Sequence, residues 1–60
     1  MASSLEMRTS QKDRLFDLLK VKKDNPNISI IGLEESILRT MAVMEKEDVA
    51  WVEKMVAKLP

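Results

Sequence analysis

The stretch from Ile30 to Leu59 constrains this chain more than any other part of it. It contains no proline and a single glycine, Gly32, close to its start. At 100° per residue its large apolar side chains fall on one side of a helix. They are Ile30, Ile31, Leu33, Ile37, Leu38, Met41, Met44, Val49, Trp51, Val52, Met55, Val56 and Leu59. The phase is kept from end to end, as a single helix of about 45 Å requires. Three acids, Glu34, Glu45 and Asp48, intrude on the stripe.

A stripe of that length needs cover, and 60 residues offer little of it. A chain this short is one small domain that buries only about 60% of its unfolded surface. Small domains are commonly reinforced by disulfides, a metal or a partner chain. There is no cysteine and no histidine, which excludes disulfides and leaves a structural zinc site without its usual ligands. Oligomerisation or a partner protein is the support that remains.

Charge is balanced overall but unevenly placed. Residues 1–25 carry six bases and four acids, and the remainder carries four bases and six acids. The layout suits a solvated surface, or chains packed antiparallel. The apolar runs are far too short for a membrane span. The N-terminus lacks the apolar core of a signal peptide, so a cytoplasmic location is expected.

In chain order, residues 1–9 are polar and rich in small side chains and are expected to form a flexible tail. Ser3 and Glu6 do have capping-box spacing. Residues 10–60 are expected to form a single helical domain. Ser10, with Asp13 three residues on, predicts the start of a first helix over 11–24. Leu15, Leu18 and Leu19 form its apolar stripe. Asn25 before Pro26 ends it, because proline disfavours α geometry in the residue before it. Ser29 then reads as the N-cap of a second helix over 30–59, with Ile28 and Leu33 as a hydrophobic staple. Gly32 falls in its first turn. Acids cluster at helix starts, so a third helix could begin at Glu45–Asp48. No glycine, proline, serine or asparagine is there to make a turn, and one continuous helix, straight or kinked, is expected. The predicted architecture is an all-α helical hairpin that self-associates into an antiparallel or symmetric dimer, a bundle of four helices.

Without histidine, cysteine or tyrosine, the usual bases and nucleophiles reduce to carboxylates, lysines and hydroxyls. The acids on the stripe lack the Glu-x-x-His partner of carboxylate metal sites in bundles. No enzyme activity, metal or cofactor is expected.

Residues 15–33, LFDLLKVKKDNPNISIIGL, resemble the opening of a winged-helix DNA-binding domain. Both have a leucine-rich helix, a turn and a capped second helix. The resemblance implies a small nucleic-acid-binding transcriptional regulator using Lys20, Lys22 and Lys23. It departs where such a domain carries a basic recognition helix. This chain has acidic residues 45–48 there, followed by Val49, Trp51 and Val52, whereas phosphate binding needs clustered lysine and arginine.

Methionine adapts to irregular partner surfaces and tryptophan is a frequent interface anchor. The expected function is therefore protein–protein interaction: a regulator, adaptor or inhibitor that binds a larger protein, acting as a homodimer. The expected interface is Met41, Met44, Val49, Trp51, Val52, Met55, Val56 and Leu59. An ordinary core is the competing explanation for the same residues.

Overall fold

The computed structural model describes residues 4–60. Among them are three helices, α1 (Ser4–Asp24), α2 (Leu33–Ala42) and α3 (Lys46–Ala57). The all-α class follows, but with three helices where two were expected.

Helix α1 starts well before Ser10. Residues 4–9 were expected as part of a tail and instead form its first turns; residues 1–3, Ser3 of the possible capping box included, lie outside the described residues. Leu5, Glu6, Met7 and Arg8 are all good helix formers, and no breaker separates them from Leu15. What ties this end down is not an apolar anchor, since Leu5 and Met7 are both exposed. It is Arg8, which reaches α3. At the other end α1 stops at the predicted place. The Asn25 side-chain amide donates to the Val21 carbonyl at 2.8 Å, and Pro26 follows.

Helix α2 begins later than expected, and Ser29 does not cap it. Gly32 occupies its N-cap position with φ +83°, in the left-handed region that costs other residues energy. The Ser36 N–H donates to the Gly32 carbonyl at 2.9 Å. With Gly32 as the N-cap, Leu33 is the first helical residue and not the fourth, so the Ile28–Leu33 pair lacks the spacing of a staple.

The long second helix is interrupted at Val43, Met44 and Glu45. Glu45 is extended, at φ −67° and ψ 143°. Its carbonyl accepts from the Asp48 and Val49 N–H groups at 3.0 and 3.1 Å. Burial gives the physical reason. A straight helix over 30–59 would leave its distal stripe in water, whereas the reversal returns α3 to α1. Glu47 and Asp48 then stand in the first turn of α3, where anions favour the positive helix end.

Helix α1 is the platform on which the other two pack, and they touch each other far less. Arg8 meets Asp48 and Lys23 meets Leu59, so α1 and α3 run parallel. Lys22 meets Glu34, while Gln11 and Arg14 flank Thr40 and Val43, so α2 runs antiparallel to α1. The core is Leu15, Ile37, Val52 and Val56, with Leu19, Leu33, Met41 and Met44 among the half-buried side chains against it. The molecule measures 41 × 25 × 15 Å.

Candidate functional site

Two polar clasps hold α3 to α1. At one end the Arg8 Nε and Nη2 donate to Asp48 Oδ2 and Oδ1, both at 2.9 Å. Nη2 also reaches Glu47 Oε1 at 3.1 Å. Asp48 is only 6% exposed, yet it satisfies the rule that buried charge must be paired. Hydrogen bonding to Arg8 holds its carboxyl below the usual carboxylate value, against the desolvation that would raise it. The same bonds push the Arg8 guanidinium up. At the other end the Lys23 ammonium donates to the Val56 and Leu59 carbonyls at 3.0 and 2.6 Å. These carbonyls lie at and just beyond the C-terminal end of α3, where a cation is favoured.

These clasps change the meaning of the basic face. Of Lys20, Lys22 and Lys23, the third caps α3 and the second pairs with Glu34 at 2.7 Å. The three lysines therefore do not form a free cationic cluster.

The expected interface is divided. Val52 and Val56 are buried in the core, Val56 with one edge on an open groove. Met41, Met44, Val49 and Leu59 are half-buried against that core, and Met55 is half-buried as well. Trp51 alone of the set is exposed, at 49%, with the Lys12 ammonium 5.1 Å from its ring centroid, a cation–π distance. The competing explanation, an ordinary core, holds for the two valines.

The larger apolar surface lies elsewhere. Ile28, Ile30 and Ile31, between α1 and α2, are all exposed, Ile31 completely so. Ile28 and Ile30 stand with Leu19, Leu33, Val56 and Ala57 around an open groove of about 580 Å³. Lys22, Lys23, Glu34 and Glu53 also line it, with charges that balance. Leu38 and Val43 add exposed apolar area on and just beyond α2. Sequence reasoning missed this surface because it assigned Ile28–Ile31 to a cap, a staple and a helical stripe. The signal was there in the run Ile28-Ser29-Ile30-Ile31, whose β-branched residues favour extended backbone.

No described helix is long and apolar enough to cross a membrane. Comparison of the chain with protein-family models, with curated proteins and with solved structures finds no match. The class that the fold and the site define is a small all-α protein with a thin core and an uncovered aliphatic surface.

Proposed function

We propose that this chain is a small protein–protein interaction module, without enzymatic activity, that acts as a regulator, adaptor or inhibitor by binding a larger protein or a second copy of itself. The single observation that carries this reading is the exposed isoleucine loop beside an apolar groove. In a 60-residue chain with four buried apolar side chains among the described residues, leaving Ile28, Ile30 and Ile31 in water is costly, at about 25 cal/mol per Å² of apolar surface. Large exposed apolar patches mark interaction sites. The engagement of Lys22 and Lys23 within the chain weighs against the nucleic-acid alternative.

The test is capture of binding partners from the native host with the wild-type chain and with Ile28→Ser/Ile31→Ser. Both positions are exposed, so the double variant is expected to keep its helical circular dichroism while losing capture. Binding should survive added salt. Capture that persists in the double variant, or that is lost steeply with rising salt as phosphate contacts predict, overturns the reading.

A further inference from the structure

The turn between α2 and α3 is built from residues that have no need to turn. Val43, Met44 and Glu45 include no glycine or proline, and no described residue other than Gly32 has positive φ. Val43 sits at φ −99° and ψ 3°, a short step from helical values, and Glu45 departs from them in ψ. The inward residues Leu33, Ile37 and Met41 of α2, Met44 of the turn, Asp48, Val52 and Val56 of α3 and Leu59 just beyond it also keep one helical phase across the turn. In contrast, the polar attachments of α3 among the described residues are to α1: the Arg8–Asp48 pair, the Lys23 bonds and the Trp51–Lys12 contact. The backbones of α2 and α3 approach each other far less than either approaches α1, and the side-chain packing of Ile37 beside Val52 and Val56 is remade by an α3 that arrives from another copy.

From this we infer that two copies of the chain exchange their α3 helices. In the exchanged dimer α2 and α3 fuse through residues 43–45 into one helix of about 37 Å, and each α3 docks on the α1 of the other copy. The directions agree. Helix α2 runs antiparallel to its own α1, so its straight continuation is parallel to the α1 of a copy related by a two-fold axis at the turn. That is the sense in which α3 packs on α1 in the closed chain. Arg8–Asp48 and Lys23–Leu59 are then remade between copies, which is why such exchange is a low-cost route to dimers. It also brings together the ends that carry exposed Leu5, Met7 and Val43. This exchange goes beyond the isoleucine surface and does not rest on it.

Two variants test it. Arg8→Glu sets two acids against each other in a closed chain, and Asp48→Arg sets two bases. Each alone is expected to lose helicity. Refolded together, they form exchanged pairs in which both contacts join opposite charges, so the mixture is expected to regain helicity and elute at twice the chain mass. The one-chain double variant Arg8→Glu/Asp48→Arg checks that the reversed pair is tolerated. A mixture no better than its components, beside a folded double variant, overturns the inference.

A second measurement avoids the reversed pair. Wild type refolded at high concentration is expected to yield a dimer that persists on dilution, and Lys46→Pro only monomer. Proline suits the first helical position of α3 and the extended Glu45 before it, but forbids a continuous helix. A wild type that stays monomeric overturns the exchange. So does a Lys46→Pro chain that dimerises equally well, which would instead assign the dimer to surface docking.

Discussion

Arg8 and Asp48, 40 residues apart in the chain, form a two-pronged ion pair with both hydrogen bonds at 2.9 Å. The pair sits where the overhanging start of α1 passes the first turn of α3. It fastens residues 4–9 to α3, and it gives a partner to Asp48, one of the three acids that interrupt the apolar stripe.

Arg8→Ala leaves the Asp48 carboxylate sheltered without its partner, and such orphaned charge is strongly destabilising. The melting temperature should fall further than for Arg39→Ala, which removes only an exposed pair with Glu35 of the kind that contributes little. Arg8→Lys should recover only part of the loss, because an ammonium cannot make the forked contact. Thermal melts followed by circular dichroism rank the three.

The same pair sets an acid limb of stability. Hydrogen bonding to Arg8 lowers the Asp48 carboxyl below its ordinary value of 3.8. A lowered carboxylate contributes stability that is full above the unfolded value and is lost as pH falls through the folded one. Melting temperature should therefore drop as pH is taken below about 4. Asp48→Asn should be less stable than wild type at neutral pH and show a flatter acid limb. Equal slopes for the two proteins would assign the acid sensitivity to other carboxylates.

Gly32 and Ser29 report on where α2 begins. A glycine in the first turn of a helix over 30–59 would gain about 1 kcal/mol on replacement by alanine. At φ +83° the sign reverses, and Gly32→Ala should cost about 1–2 kcal/mol although nothing lies within 4 Å of the added methyl. Ser29→Ala should be close to neutral, since Ser29 caps no helix. Urea denaturation of both variants separates the two starts.

Leu15 is fully buried at the centre of α1. Leu15→Ala should cost about 2–5 kcal/mol, a large share of what a small domain can have. Loss of the cooperative thermal transition is the expected readout. A variant that melts like wild type would mean the packing of α2 and α3 on α1 is not what holds the fold.

Local chemistry was enough for several features. The all-α class follows from apolar residues at helical spacing. The end of α1 follows from Asn25 and Pro26, whose backbone demands act over one or two residues. Leu15, Leu18 and Leu19 mark the apolar face of α1 for the same reason. The acids at 45–48 carried both outcomes, a helix start and an interrupted stripe, and only the fold chose between them. Val43, Met44 and Glu45 are as compatible with helix as with a turn, so the choice rested on whether α3 gained more by returning to α1 than by extending. That return also decided which apolar residues became core, taking Val52 and Val56 inside and leaving Trp51 at the edge. Likewise residues 4–9 are compatible with helix on their own, but Arg8 fastens them to α3 only because a carboxylate 40 positions away is brought to meet it. Periodicity and capping are local properties and can be read along the chain, whereas burial and ion pairing depend on which distant segment arrives, and that is settled by the packing of the whole.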